Sequence, residues 1–185
     1  MKFSKNEIFD LIKAWVAIAI AFTIVLRHRY DYSLSLIFFL SIITVGIGFL
    51  LHELAHKWVA QKYKCFAEFK SFNLMLLIAI ILSFVGFIFA APGAVFISGH
   101  INKDKNGKIS LAGPLTNIIL ALIFLPFSFA SGFLQTIGAF GFQINSWLAL
   151  FNMIPFGNLD GEKILKWNKA IYILIVIVSL ILVFL

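Results

Sequence analysis

Apolar segments long enough to cross a lipid bilayer follow one another along almost the whole of this chain. A spanning helix needs about 20 residues, at about 1.5 Å of rise each. Six segments approach or exceed that length: 8–26, 34–59, 72–90, 111–130, 133–155 and 170–185. Hydrophobic residues make up 62% of the sequence. The sequence therefore predicts a polytopic α-helical membrane protein, with residues 1–185 as a single membrane-embedded domain whose core is 34–161.

The basic residues are placed as in a membrane protein. A formal net charge of +7 raises the question of nucleic-acid binding, but the 15 Lys and Arg cluster at the ends of apolar segments. That arrangement is typical of membrane topology, so we expect a lipid bilayer and no nucleic acid as partner. Segment 8–26 is interpreted as a retained spanning helix rather than a signal peptide, because it is too long and charged residues interrupt its start.

Two stretches predict a small β element. Residues 65–72, CFAEFKSF, partly alternate apolar and polar side chains. Residues 93–114 contain two β-leaning runs around the turn residues NKDKNGK. We therefore expect a small sheet with a hairpin. The single cysteine, Cys65, excludes an intramolecular disulfide and is interpreted as a small apolar residue.

The sequence HELAH places three ionisable groups, His52, Glu53 and His56, inside an apolar segment. Residues four apart lie on one face of a helix, so the two imidazoles can bind one Zn²⁺, with Glu53 beside the metal as a proton acceptor. This pattern is typical of a zinc hydrolase. The alternative is a proton- or metal-coupled transporter, because intramembrane ionisable residues also form ion pathways.

A catalytic zinc site normally takes three protein ligands, so a third is needed. Most other His, Asp and Glu residues lie in boundary or loop contexts and are interpreted as solvated: His28, Asp10, Asp31, Asp104, Glu7, Glu68 and Glu162. His100, in the polar stretch, is a candidate that the sequence leaves open. Asp160 follows a long apolar run that glycine and proline interrupt. Broken backbone at membrane depth lines a cavity, which gives this carboxylate a reason to face inward.

Two motifs together carry a family resemblance. HELAH on an apolar segment, followed by NMIPFGNLDG, resembles the site-2 protease family of intramembrane zinc metalloproteases, whose signatures are HExxH and N-x-x-P…L-D-G. SLAGPLTN, residues 110–117, looks like the Gly-Pro helix opening of that family. The resemblance covers 52–161. It implies a protease of transmembrane protein or peptide substrates, active in regulated intramembrane proteolysis, with one Zn²⁺ per chain.

The same resemblance implies residue roles. His52, His56 and Asp160 would be the zinc ligands. Glu53 would be the catalytic acid/base, and Asn152 would help to hold the substrate or the oxyanion. A proteolytically inactive zinc-binding membrane scaffold is a further alternative, against which the intact Glu53 argues. The chain departs from simple members of the family in its extra apolar segment, 72–90.

Topology follows from the need to bring both motifs to one zinc. The ends of the two helices must lie at similar depth, so one of the intervening segments does not cross fully. We assign 72–90, broken near Gly86, as a re-entrant or surface-lying segment, which gives five to six transmembrane segments. Of the 15 Lys and Arg, all but Arg27 and Arg29 then fall on one face. The positive-inside rule makes the N-terminus and the zinc-bearing face cytoplasmic.

Overall fold

A computed structural model describes residues 1–28, 30–87, 92–157 and 159–185. The elements follow in the order α1 (Lys5–Arg27), α2 (Leu34–Ser41), α3 (Ile47–Lys62), β1 (Phe66–Ser71), α4 (Asn73–Ser83), β2 (Gly93–Ser98), α5 (Lys103–Ser128), α6 (Gly132–Asn152), α7 (Asp160–Trp167) and α8 (Lys169–Phe184). A π-helical turn, Ile42–Gly46, joins α2 and α3 into one continuous helix. Arg29 and positions 88–90 of the predicted re-entrant segment lie outside the described residues.

Within these described ranges, three helices are long and apolar enough to cross a membrane. They are α1 with 23 residues, Leu34–Lys62 with 29 and α5 with 26. These helices support membrane association, while the total of five to six spans stays a prediction. Helix α4 has 11 residues, which extend about 17 Å and cover roughly half of a hydrocarbon core. Its length is compatible with a segment that does not cross fully.

The small sheet is confirmed, but the predicted hairpin within 93–114 is wrong. Strands β1 and β2 pair antiparallel, with Phe66 opposite Ser98. The second β-leaning run lies in α5 instead, because NKDKNGK starts a helix. Asn102 caps it by accepting a hydrogen bond from the backbone N of Lys105 at 2.9 Å. Asp104 stabilises the first turn and pairs with Lys108 at 2.8 Å.

Helix α1 is fastened to α3 and β1 by two carboxylates. Glu7 and Lys57 are both 1% exposed and form an ion pair, and Glu7 also accepts a hydrogen bond from the Phe69 backbone N at 2.9 Å. Asp10 accepts hydrogen bonds from the backbone N and the Oγ of Ser71, at 3.2 and 2.8 Å. The interpretation of Glu7 as a solvated charge is therefore wrong, and Asp10 is only partly solvated. Phe69 and Ser71 donate these hydrogen bonds from the outer edge of β1.

Helix α5 lies between the two parts of the chain that carry the sequence motifs. It packs against α3 on one side and against α6 and α7 on others. Trp15 of α1 steadies the π-helical turn, because its Nε1 donates a hydrogen bond to the carbonyl O of Ile42 at 3.1 Å and its ring lies on Gly46. These contacts fix the start of α3, and α3 carries the HELAH sequence.

Candidate metal centre

The two HELAH histidines meet a carboxylate from the other motif. Nε2 of His52 and Nε2 of His56 lie 3.0 Å apart, one turn from each other on α3. Oδ2 of Asp160, the first residue of α7, lies 3.2 Å from the former and 3.1 Å from the latter. All three side chains are buried. Tetrahedral Zn²⁺ with bonds of about 2.0 Å keeps its ligand atoms about 3.3 Å apart, so this triangle fits one metal ion.

The chemistry of the donor atoms also fits a cation. Nδ1 of His52 lies 2.6 Å from Oδ1 of Asn117, and Nδ1 of His56 lies 2.7 Å from the carbonyl O of Ile109. Both partners are acceptors, so each Nδ1 donates and carries a proton. In a neutral imidazole this leaves a lone pair on Nε2. Two lone pairs and a carboxylate oxygen then converge on one point, as a metal ion requires.

Asp160 is held ionised by its neighbours. Burial acts to raise the pKa of its carboxyl, but in the metal-free protein the positive charge of protonated His56 and His52 outweighs burial and holds that pKa below the usual carboxyl range. A carboxylate must be ionised to act as a metal ligand. The lowered pKa therefore keeps Asp160 in the form that binds a cation at neutral pH.

Helix α7 is fixed in place on two sides. Gly161 lies against the preceding chain, where a Cβ would come within 2.2 Å of the carbonyl O of Met153. Trp167 packs on Gly107 of α5, and its Nε1 donates a hydrogen bond to Oδ1 of Asp104 at 3.0 Å. Both ends of this short helix are thus anchored, and Asp160 at its start is held against the histidines.

Gly113 brings α5 into direct contact with both imidazoles. A Cβ at this position would lie 2.4 Å from Nε2 of His56 and 2.5 Å from Nε2 of His52. Such a carbon would overlap an ion bound by those two nitrogens. The absence of a side chain at Gly113 therefore leaves the space that a metal needs. Asn117 follows four residues later on the same helix face and contacts His52.

The remaining candidate residues have different surroundings. Glu53 is buried and interacts electrostatically with His52, His56 and Asp160. Nδ2 of Asn152 donates a hydrogen bond to the carbonyl O of Leu148 in its own helix at 2.9 Å.

His100 is exposed and lies outside the group of three candidate ligands. Among the described residues, that group is His52, His56 and Asp160. The assigned roles of these three, and of Glu53 and Asn152, stay predictions.

Sequence analysis missed three contributors to this site. Gly113 and Asn117 lie within SLAGPLTN, and neither was assigned a role at the site. Their i, i+4 spacing places both on the helix face toward the histidines, and this spacing could have identified them. Asn145 supports Asn117 from α6 through a hydrogen bond of 3.0 Å. An asparagine within an apolar segment gives no distinct signal for such a contact.

A buried site of two histidines and one carboxylate, beside a glutamate on an apolar helix, is typical of a membrane-associated metalloenzyme. The chain is 45% identical over 179 residues to "Putative zinc metalloprotease MJ0611" of Methanocaldococcus jannaschii, covering 94% of this chain and 91% of the relative. It therefore belongs to the zinc metalloprotease family.

Two further relatives carry the same kind of name. The chain is 32% identical over 156 residues to "Putative zinc metalloprotease YwhC" of Bacillus subtilis, covering 73% of this chain and 71% of the relative. It is 30% identical over 131 residues to "Zinc metalloprotease MJ0392" of Methanocaldococcus jannaschii, covering 67% of this chain and 32% of the relative. No family model and no solved structure matches the chain.

Proposed function

We propose that this protein is an intramembrane zinc metalloprotease of the site-2 protease type, which hydrolyses peptide bonds in or near transmembrane segments of membrane-protein substrates. The observation that carries the proposal is the buried triangle of His52 Nε2, His56 Nε2 and Asp160 Oδ2, with Glu53 beside it. The names of the three relatives support the metalloprotease part.

The residues divide the chemistry between them. A Zn²⁺ ion held by His52, His56 and Asp160 would supply a Lewis acid that polarises the scissile carbonyl and makes water more acidic. Glu53 accepts a proton from the attacking water at its carboxylate and returns it to the leaving amine. Asn152 binds the substrate or the oxyanion that develops on the carbonyl, after its side chain leaves the Leu148 carbonyl.

A transmembrane substrate must unwind before its backbone can react, because helical carbonyls are already hydrogen-bonded. The outer edge of β1 contacts the α1 carboxylates, whereas the outer edge of β2 has no strand partner among the described residues. An extended substrate segment adds to that β2 edge and is held open there. Water reaches the buried centre from the cytoplasmic face, where the positive-inside rule also puts the N-terminus.

The proposal is tested with purified full-length protein and one transmembrane peptide substrate in liposomes. We expect cleavage that a zinc chelator abolishes and that added Zn²⁺ restores. Uptake of metal or protons into the same liposomes without cleavage would instead support a transporter. Bound zinc with neither cleavage nor uptake, over a panel of transmembrane substrates, would support an inactive scaffold.

A further inference from the structure

Two buried asparagines connect the backbone of α6 to a candidate zinc ligand. Nδ2 of Asn145 donates a hydrogen bond to the Gly141 carbonyl O at 2.8 Å, and Oδ1 of Asn145 accepts one from Nδ2 of Asn117 at 3.0 Å. Oδ1 of Asn117 lies 2.6 Å from Nδ1 of His52. Both asparagines are 0% exposed. A continuous hydrogen-bonded chain therefore runs from α6 to His52.

The orientation of both amide groups in this hydrogen-bonded chain is fixed at the end formed by the Gly141 carbonyl. The Gly141 carbonyl can only accept, so the amino group of Asn145 must face it and its oxygen must face Asn117. The amino group of Asn117 has two hydrogens, and they are used by Oδ1 of Asn145 and by the Gly48 carbonyl O at 3.2 Å. Only an oxygen of Asn117 then remains for His52. Turning either amide over would bring buried oxygens face to face, which is costly.

The consequence for His52 is a single tautomer. Because Oδ1 of Asn117 cannot donate, Nδ1 of His52 carries the proton and Nε2 is left for a metal. His56 adopts the same tautomer through a hydrogen bond from its Nδ1 to the Ile109 backbone carbonyl, a contact that does not depend on the identity of a side chain. The two ligands therefore differ, and only His52 depends on side chains for its orientation.

Gly48 makes room for this arrangement. A Cβ at Gly48 would lie 2.5 Å from Oδ1 of Asn145, so a larger residue would push that amide away. The same glycine supplies the carbonyl that Asn117 donates to. Helices α3, α5 and α6 thus meet around the two amides, on the side of His52 opposite the metal position.

We propose that Asn117 and Asn145 are positioning residues, which set metal affinity by holding His52 as the tautomer that presents Nε2. This inference rests on the proposed function, because it takes the triangle of ligands to be a zinc site. Outer-shell partners of a metal-binding histidine typically contribute about 10–100-fold to metal affinity. Among the described residues, the hydrogen-bonded route from Asn145 to His52 runs through Asn117.

The test measures zinc affinity of the full-length protein in detergent by competition with a chromophoric chelator. We expect Asn117→Leu to weaken zinc binding by about 10–100-fold and Asn145→Leu by about 10-fold. Gln143→Leu is the matched control, because it removes an amide from an exposed position of the same helix and should leave affinity unchanged.

Thermal melting separates positioning from general stability. If the asparagines position His52, zinc should raise the melting temperature of the leucine variants less than that of wild type, because the rise depends on zinc affinity. If Asn145→Leu melts lower without metal yet binds zinc as tightly as wild type, the inference is overturned. Failure of wild type to bind zinc overturns the proposed function as well, so the two failures are distinguishable.

A measurement on wild type covers the case in which the leucine variants do not fold. The ¹⁵N spectrum of the zinc-loaded protein should show a proton on Nδ1 of His52 and metal on Nε2. Metal on Nδ1 would overturn the inference without any substitution.

Discussion

Oδ2 of Asp160 lies 3.1 Å from Nε2 of His56, although the two residues start from different helices at distant points of the chain. The contact exists because α5 packs against both α3 and α7. It completes a set of three candidate zinc ligands. The contact is therefore the part of the site that depends most on the whole fold.

Removing Asp160 should remove most of the metal. We expect about one zinc per wild-type chain, and a large loss of zinc from Asp160→Ala, His52→Ala and His56→Ala, because a site with two ligands binds zinc weakly. Elemental analysis of the purified proteins measures this. Asp31→Ala, at an exposed position before α2, is the control. Full zinc and full activity in Asp160→Ala would show that the third ligand is another residue.

Adding one methyl group at Gly113 should also prevent metal binding. The new Cβ would lie within 2.5 Å of Nε2 of both histidines, so it would occupy the space of the ion. We expect Gly113→Ala to contain little zinc, measured as above, while Leu115→Ala at a 40% exposed position of the same helix retains it. A Gly113→Ala protein with normal zinc would place the metal elsewhere.

The buried pair of Glu7 and Lys57 should be important for stability. Lys57→Met leaves Glu7 buried without its cation and should lower the free energy of unfolding by about 3–5 kcal/mol. Adding Glu7→Gln should recover much of this loss, because Gln still accepts from the Phe69 backbone N. Equilibrium unfolding in mixed detergent micelles measures both.

The control for this pair is an ion pair at the surface. Lys108→Met removes an exposed partner of Asp104 and should change stability little. If the double variant is no more stable than Lys57→Met, then the uncompensated charge is not the cause of the loss.

Local patterns made part of this site predictable. The i, i+4 spacing of His52 and His56 places both on one helix face whatever the rest of the fold does. Glycine and proline break the helix before Asp160, which predicts an inward-facing carboxylate, and the family resemblance implies its role as third ligand. The burial of Glu7 was not predictable in the same way, because its partner Lys57 lies on another helix and the contact depends on tertiary packing.

The hairpin prediction failed for a local reason. The residues NKDKNGK are typical of a turn, but they also contain a helix N-cap, Asn102, followed by Asp104 in the first turn. Turn and cap residues are chemically alike, since both hydrogen-bond to nearby backbone. The helix forms here because the apolar residues that follow NKDKNGK continue α5 to Ser128 and pack against α3 and α6.

The proposed topology predicts which face each loop occupies. Single cysteine probes at Lys62, Lys105 and Lys166, in a Cys65→Ala background, should be labelled only from the cytoplasmic side, and a probe at Ser131 only from the opposite side. The reason is that basic residues concentrate on one face only if segment 72–90 does not cross. Labelling at Lys105 from outside would refute the re-entrant assignment.

Glu53→Gln tests the central claim most directly. Exchanging one carboxylate oxygen for an amide nitrogen changes little volume and leaves the three candidate ligands in place, so zinc content should match wild type. Loss of the proton acceptor should lower the rate of cleavage by about 10²–10⁴-fold. The measurement is zinc content together with cleavage of one transmembrane substrate, for wild type and Glu53→Gln in liposomes. Normal zinc with cleavage near or below detection is the predicted result, and normal cleavage by the zinc-loaded variant would contradict the account.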